Sequence, residues 1–336
     1  MAKKVSIYDV ARYAHVSAAS VSYVINGVDK VSNATRKKVL KGIQELGYTR
    51  SRSAVSLSTG HSRMLALILP WEDLSIAFTQ NPFYGEFIGT FEKEIASSGY
   101  ELIIEPSTIE KNIVSWSTSL GVDGFIVRGR MTEALYKGLS KVNAPTVLVD
   151  VYDEHAGEYA NIRIDDVRGA YLATSHLLDL GHRAIAFVGG DIAHSIVDQK
   201  RYHGYEIAMK ERGCTPVCHS FEATFLGGQK AAQAIAASPE ITAVFCAADI
   251  MAIGMIRQYH LLGKRLPDDL SIVGLDNIQA AEYVSPSLTT IHQDIPEKAR
   301  LSAEMILTGI RRGKMNVSKE RLEPRLVCRE SSVRLG

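Results

Sequence analysis

The sequence has few cysteines, few aromatic residues and no long apolar run. Its 336 residues include four cysteines, too few for a disulfide framework, and Cys214 and Cys218 have no neighbouring Cys or His pair at zinc spacing. No run of eighteen apolar residues occurs, so no membrane span is predicted. The first residues lack the apolar stretch of a secretory signal, so we expect a cytoplasmic protein.

Signatures of common enzyme classes are missing too. The pair Gly189-Gly190 lacks the complete dinucleotide fingerprint, and the sequence holds no Walker loop, no Gly-x-Ser-x-Gly elbow and no His-Glu-x-x-His pair. His182 is interpreted as a turn residue between a helix and a strand. The sequence therefore predicts a protein that is not an enzyme and needs no cofactor or metal.

Charge, by contrast, is unevenly distributed. The chain has 38 basic and 37 acidic residues, but residues 1–63 hold eleven basic and three acidic ones, a net charge of +8. The remainder carries −7. A basic module joined to a mildly acidic body favours a polyanion-binding segment, although a solvated basic face is the plainer alternative.

Two short helices separated by a tight turn are predicted in the basic segment. Ser6 can cap the first helix, and Asp9 lies in its first turn, where the helix dipole favours an anion. The second helix begins at Ser17 and ends at Asn26-Gly27. Only residues 14–16 separate the two, a spacing typical of a helix-turn-helix motif.

A third helix is predicted over residues 33–46, ending at Gly47. Four of its apolar side chains are expected to face inward: Val39, Leu40, Ile43 and Leu46. The exposed side of the second helix is small and polar, formed by Ser17, Ala18, Ser22 and Tyr23. Such a face can enter a DNA major groove, whereas a three-helix bundle without nucleic acid is the alternative.

This segment resembles the headpiece of the lactose-repressor (LacI/GalR) family. The likeness is carried by Ser6-Ile7-Tyr8-Asp9-Val10-Ala11-Arg12-Tyr13-Ala14-His15-Val16-Ser17, Val24-Ile25-Asn26-Gly27 and Glu45-Leu46-Gly47-Tyr48. The resemblance implies base contacts from Ala18, Ala19 and Tyr23. It implies contacts to the DNA backbone from Tyr8, Ser17, Ser22 and Asn26.

Two departures from the family pattern affect DNA recognition. His15 stands where the turn usually has glycine, and histidine tolerates a positive φ better than most residues. Tyr23 replaces a frequent arginine and cannot make a bidentate contact to guanine, so readout should depend on thymine methyls and DNA shape.

Residues 49–63 are rich in serine and arginine, a composition typical of a tether. The resemblance implies a hinge helix here, with Ala54 and Leu57 at DNA-contacting positions and Leu57 wedged into the minor groove. Arg50-Ser51 replaces the family's usual Pro-Asn, and Val55 replaces a frequent arginine.

Strand-like runs alternate with helical stretches through residues 64–336. The runs lie at 64–69, 100–104, 124–127, 146–150, 184–188, 242–245 and 271–275. Buried runs separated by helices indicate parallel sheets covered on both faces, and their number favours an α/β core of two doubly wound subdomains. Polar residues at strand ends and before a helix are site candidates: Asp150, Arg201 and Asp276, with Phe83, Tyr84 and Trp71 as candidate aromatic faces.

The resemblance extends through this body to the family's core, which is similar to periplasmic sugar-binding proteins. It implies one subdomain over 64–162 and 292–323, a second over 163–291 and 324–336, and three crossovers between them. It also places Phe83, Asp150, Arg201 and Asp276 at effector-contacting positions. Ala248 replaces a frequent asparagine, and Phe221 or Phe225 is a candidate for the second subdomain's aromatic residue.

These observations predict a sequence-specific transcriptional regulator whose affinity for its operator is controlled by a small-molecule effector. We expect a homodimer, since no leucine heptads trail the core, bound to palindromic operator DNA and not to a membrane. We expect its effector to be a sugar or sugar derivative. A nucleobase effector stays open, as does a solute-binding module whose basic head serves only as an anchor.

Overall fold

The computed structural model describes residues 5–25, 27–48, 60–75, 78 and 81–336. Its internal contacts divide the chain into two compact units, Met1–Ser62 and Arg63–Gly336, which are described separately. Within the described ranges, no helix is both long and apolar enough to cross a membrane.

The described residues of the first unit form a headpiece with three short helices. They are α1 (Ile7–Ala14), α2 (Ala18–Ile25) and α3 (Asn33–Glu45). Ser6 and Asp9 form a reciprocal capping box at the start of α1. His15 ends this helix in the left-handed conformation with φ 54°, so the turn keeps its geometry without glycine.

The headpiece core is small and aliphatic. Its fully or nearly buried side chains are Val10, Ala11, Ala14, Val21, Val24 and Val39. The prediction that Leu40 faces inward is wrong, because this side chain is 52% exposed. Leu40 lies one residue, about 100° of helix rotation, beyond Val39. Gly42 occupies the inward position instead, where a Cβ would lie 2.9 Å from the Tyr13 ring.

The second unit contains two sheets. The first has strands Met64–Leu69 (β1), Glu101–Pro106 (β2), Gly124–Arg128 (β3), Thr146–Val149 (β4), Ala160–Ile164 (β5) and Lys319–Leu322 (β11). The second has Ile185–Gly189 (β6), Val217–Ser220 (β7), Ala243–Cys246 (β8), Ser271–Asp276 (β9), Thr289–His292 (β10) and Arg325–Val327 (β12). The spatial orders are β2-β1-β3-β4-β5-β11 and β7-β6-β8-β9-β10-β12. Every pairing is parallel except that of β12 with β10.

Helices follow most of these strands. They are α4 (Pro82–Ser97), α5 (Ile113–Leu120), α6 (Glu133–Val142), α7 (Asp166–Asp179), α8 (Ile196–Glu211), α9 (Phe225–Ala236), α10 (Asp249–Leu261), α11 (Ala280–Tyr283) and α12 (Ile295–Arg312). Alternate residues of β1 pack on opposite faces of the first sheet. Leu67 joins a cluster with α4 and α12, whereas Ile68 joins one with α5 and α6. The sheet is therefore doubly wound, as predicted.

The chain passes between the two sheets three times. It leaves the first sheet after β5, returns after β10, and crosses again between β11 and β12. Strand β5 extends to Ile164, two residues beyond the subdomain boundary predicted at residue 162. In each sheet the strand order reverses beside the first strand, since β1 lies between β2 and β3, and β6 lies between β7 and β8. Ligands of such sheets bind outside the carboxyl ends of the strands at this point.

His182 has a structural role beside the second sheet. Its side chain is 2% exposed, with Nδ1 2.9 Å from Thr242 Oγ1 and Nε2 3.0 Å from the Val333 carbonyl. Burial lowers the pKa of this imidazole. The side chain thus ties the turn before β6 to the C-terminal segment.

Candidate functional site

A cavity of about 220 Å³ lies at the carboxyl ends of strands from both sheets. Its lining residues are Trp71, Asn81, Phe83, Arg128, Gly129, Asp150, Asp166, Ser195, Val197, Asp198, Arg201, Ala223, Ala247, Ala248, Asp276 and Gln293. The structure thus brings all four predicted effector residues, Phe83, Asp150, Arg201 and Asp276, around one cavity. Their contact with an effector stays a prediction.

Only some of the aromatic residues that were expected at the effector site line the cavity. Trp71 is among the residues that line the cavity, whereas neither Phe221 nor Phe225 is. Phe225 begins α9 and is 36% exposed, while Phe221 packs against the apolar cluster formed by β8, α9 and α10. The second subdomain contributes small residues such as Ala223 instead.

Arg128 covers the aromatic ring that was expected to stack on a sugar. Its guanidinium carbon lies 4.1 Å from the centre of the Phe83 ring and 4.5 Å from that of Tyr84. Arg128 Nη1 also donates to the Tyr84 hydroxyl at 2.6 Å. The planar group next to this part of the cavity is therefore a guanidinium held on two aromatic rings.

A buried chain of polar groups joins the two subdomains behind the cavity. Lys298 Nζ donates to both carboxylate oxygens of Asp150, at 2.8 and 2.9 Å, and to Gln293 Oε1 at 2.7 Å. Gln293 Nε2 in turn donates to Asp276 Oδ1. All four residues are more than nine-tenths buried, and Lys298 has no exposed surface at all.

The pKa values along this chain follow from burial and from charge. Burial opposes ionisation of Asp150, yet its pKa is lowered because Lys298 and Arg128 lie against it. Burial lowers the pKa of Lys298, with Asp150 acting in the opposite direction. The two hydrogen bonds from the ammonium group to the carboxylate favour the ionised form of both groups. Burial raises the pKa of Asp276, although Arg201 opposes that change.

Arg201 is fixed by the start of α7. Its Nε donates to Asp166 Oδ1 at 2.8 Å, its Nη1 donates to the Ala247 carbonyl, and Asp166 also accepts from the Tyr152 hydroxyl. Burial works against the charge of Arg201, but Asp166 and Asp276 raise its pKa. The guanidinium therefore stays charged at the edge of the cavity.

Asp249 is a buried carboxyl at the start of α10, next to the cavity-lining Ala248. It follows Ala248, has no exposed surface, and accepts hydrogen bonds from the Ile278 amide and the Thr290 hydroxyl. Gly274 leaves room for it, since a Cβ there would lie 2.1 Å from Asp249 Oδ1. Burial, with Asp276 as the next cause, raises the pKa of this carboxyl.

The candidate DNA surface lies on the headpiece. Tyr8 is 68% exposed, Tyr23 is 36% exposed, and Ser17 and Ala19 are also exposed. Ala18 is half-buried against the headpiece core. The remaining predicted contacts are Ser22, which is half-buried, and Asn26, Ala54 and Leu57, which lie outside the described residues.

Sequence reasoning missed Arg128 and Lys298. Arg128 ends β3, so the strand-end rule that identified Asp150 would also have found it. Lys298 lies at helical spacing among inward residues of α12, between Ile295 and Ser302. A charged residue on an apolar helix face was the available signal. No group of three or more metal-ligating side chains occurs among the described residues.

Comparisons with known proteins agree with this two-part organisation. A family model for bacterial regulatory proteins of the lacI family matches residues 6–51, and one for a periplasmic binding protein-like domain matches residues 174–332. The chain is 33% identical to the HTH-type transcriptional repressor PurR of Vibrio vulnificus, over 97% of this chain and 98% of that protein. It is 32% identical to the ribose operon repressor of Haemophilus influenzae, over 96% and 97%.

A solved structure shows the same likeness. The lac repressor dimer bound to operator and the anti-inducer ONPF gives a TM-score of 0.85 at 25% identity, over 98% of this chain and all of that chain. Headpiece, sheets and relatives together define a helix-turn-helix transcriptional regulator with a periplasmic-binding-protein-like core. The chain belongs to the LacI family of bacterial regulatory proteins. Its relatives are named as transcriptional repressors and not as enzymes.

Proposed function

We propose that this protein is a homodimeric, cytoplasmic repressor of palindromic operators whose DNA affinity responds to a sugar or sugar derivative in the core cavity. The convergence of Asp150, Arg201 and Asp276 on one small cavity supports this proposal. Carboxylates and a guanidinium make paired hydrogen bonds to neighbouring hydroxyls. A volume below the roughly 300–1,000 Å³ of drug-sized ligand pockets suits a small ligand.

On the DNA side, the exposed face of α2 enters the major groove. Ala18, Ala19 and Tyr23 contact base edges, while Tyr8, Ser17, Ser22 and Asn26 hold the DNA backbone. Lys30 Nζ lies 5.6 Å from the centre of the Tyr23 ring, which adds positive charge beside the reading position. Leu57, with Ala54, forms the minor-groove contact of the hinge.

The two sites are coupled through the orientation of the core subdomains. The cavity is lined from both sheets, and three chain crossings join them, so an effector that contacts both walls favours one relative orientation. Such coupling is reciprocal, because operator and effector bias the same two-state equilibrium.

The test begins by selecting an operator from random duplex DNA with the full chain. Thermal-shift screening then uses monosaccharides, oligosaccharides, sugar phosphates and nucleobases, since a ligand at a hundred times its Kd adds about 2.7 kcal/mol to stability. Operator titrations with and without each hit measure the coupling. We expect a sequence-selective, salt-dependent operator complex whose affinity changes with a sugar-type hit.

One variant and its control separate the effector site from the DNA site. Asp276→Ala should abolish the effector response while operator affinity stays within about twofold, because each site contributes its own binding energy. Asp268→Ala, an exposed carboxylate outside the cavity, is the control. DNA binding without sequence preference would contradict the proposal of a regulator. A response only to nucleobases would show that the effector is a nucleobase and not a sugar.

A further inference from the structure

Two cations face one carboxylate on the first-subdomain wall of the cavity. Lys298 makes two hydrogen bonds to Asp150, and Arg128 Nη2 lies 3.6 Å from Asp150 Oδ2. Among the described residues, Asp150 is the one carboxylate that forms an ion pair with either cation. Because Lys298 already neutralises Asp150, this wall keeps the positive charge of Arg128.

Arg128 also has one buried donor that no protein group in the described ranges satisfies. Its Nη1 donates to Tyr84, but its Nε is buried and has no acceptor within the part of the chain that the structure describes. A buried donor without an acceptor is unfavourable, and guanidinium groups pair best with planar or tetrahedral oxyanions. Arg128 lines the cavity with its side chain 15% exposed, so a ligand in the cavity can reach the guanidinium.

The opposite wall has the reverse charge. The second-subdomain side presents Asp276 and Asp198, while Arg201 is paired with Asp166. Asp198 accepts from the Gly190 amide at 2.9 Å, and Asp276 accepts from Gln293. Each carboxylate retains lone pairs for further donors, and hydroxyl groups supply such donors.

We infer that the effector is a monosaccharide-sized polyol that carries an oxyanion, a carboxylate or a phosphate, held by Arg128. Its hydroxyls donate to Asp276 and Asp198 across the cavity. Lys298, which the cavity does not reach, acts as a positioning residue that prevents Asp150 from repelling the oxyanion. This inference rests on the proposed function, since it specifies the chemistry of the effector.

The first experiment measures binding of matched ligand pairs to the full chain by calorimetry. The carboxylate arm compares D-glucuronate with D-glucose, D-galacturonate with D-galactose, and D-gluconate with D-glucitol. The phosphate arm compares glucose 6-phosphate with glucose and ribose 5-phosphate with ribose. We expect at least one anionic ligand to bind about tenfold or more tightly than its neutral partner, as a charge-assisted bond to arginine requires.

The second experiment assigns that preference to a residue. Arg128→Gln should remove the preference, measured as the ratio of the anionic to the neutral ligand's affinity within that variant, and Arg128→Lys, which keeps the charge, should retain part of it. Arg130→Gln is the matched control, because Arg130 is exposed and lies outside the cavity lining. Circular dichroism and thermal unfolding establish that each variant is folded.

The outcomes separate this inference from the proposed function. Neutral ligands that bind at least as tightly as their acids and phosphates in every pair overturn the inference and leave the proposed sugar response intact. Failure of every acid and phosphate to bind at millimolar concentration also overturns it. Binding of a nucleobase without any sugar overturns both. An anion preference that survives Arg128→Gln overturns the assignment to Arg128.

Discussion

The headpiece and the core present their candidate binding surfaces in opposite ways. The DNA surface on residues 8–23 is local and exposed, and its neighbouring ion pair, Arg12 with Asp9, is solvent-facing at 3.6 Å. The cavity gathers residues from Trp71 to Gln293, and its ion pairs are buried. Charge therefore acts differently in the two places, because screening is strong at the surface and weak in the interior.

This difference indicates where single substitutions should matter for stability. In the headpiece, loss of a side chain on the exposed α2 face is expected to change DNA binding and to leave the fold intact. In the core, the charged groups that shape the cavity are also part of the packed interior, so altering one of them affects both stability and ligand binding. The following predictions test that contrast, beginning with the largest effect.

Lys298→Met should destabilise the core by about 3 kcal/mol, because removing one member of a buried pair leaves an uncompensated charge on Asp150. Arg128 remains nearby, which keeps the cost at the lower end of the usual range. Denaturant unfolding measures the change. Lys264→Met, on the exposed turn after α10, is the control. Adding Asp150→Asn to Lys298→Met should recover part of the loss, and a full loss in the double variant would argue against the charge explanation.

The raised pKa of Asp249 should make core stability fall with rising pH. The native state keeps a proton that the unfolded chain releases near pH 3.9, so stability declines by up to about 1.4 kcal/mol per pH unit from there to the folded pKa. In Asp249→Asn the amide can donate to Thr290 and accept from Ile278, which preserves the hydrogen bonds.

Unfolding midpoints of wild type and Asp249→Asn between pH 5 and pH 8 measure this effect as the difference between two profiles. Asp269→Asn, whose carboxylate accepts from the exposed Arg265 amide, is the control. Parallel profiles for wild type and Asp249→Asn would show that Asp249 does not hold the proton.

Ser6→Ala should destabilise the headpiece by about 1 kcal/mol, because it removes the capping box at the start of α1. Core unfolding should not change, since the two units have separate cores. Thermal unfolding followed by circular dichroism measures both transitions. Ser140→Ala, whose hydroxyl donates only within α6, should leave both transitions in place. A shift of the core transition in Ser6→Ala would contradict independent cores.

The smallest effect is expected at a surface cluster of the first subdomain. His155 lies 3.7 Å from Tyr136, ring centre to ring centre, and hydrogen bonds to Glu158 and then Glu133 raise its pKa. The protonated imidazole therefore stabilises the folded state. This contribution is complete below the pKa of histidine in the unfolded chain, near 6.5, and disappears as pH rises through the pKa in the folded protein.

His155→Gln should therefore lower the unfolding midpoint slightly at pH 6 and not at pH 9. His260→Gln, at an exposed position in α10, is the control. An equal decrease at both pH values would indicate that ring stacking, not charge, supports the cluster.

Much of this protein followed from sequence because the determining interactions are local or periodic. The caps at Ser6 and Ser17 and the turn at His15 involve neighbours within a few residues, so the headpiece could be predicted. Alternating apolar runs and helices predicted two doubly wound sheets. The strand-end rule found Asp150 and Asp276, since parallel strands bring their carboxyl ends to one edge.

Only the tertiary structure decided how those strand ends combine. The partner of Asp150 is Lys298, 148 residues away, and no periodicity in the sequence links them. Arg128 covers the ring of Phe83, and the small side chain of Ala223 lines the wall where an aromatic residue was expected. The pattern of the sequence specifies which faces of the helices and strands are buried, because the polarity of each residue decides whether its own side chain is buried. Which charges meet inside depends on how elements distant in the sequence pack together, and that packing gives the cavity one cationic and one anionic wall.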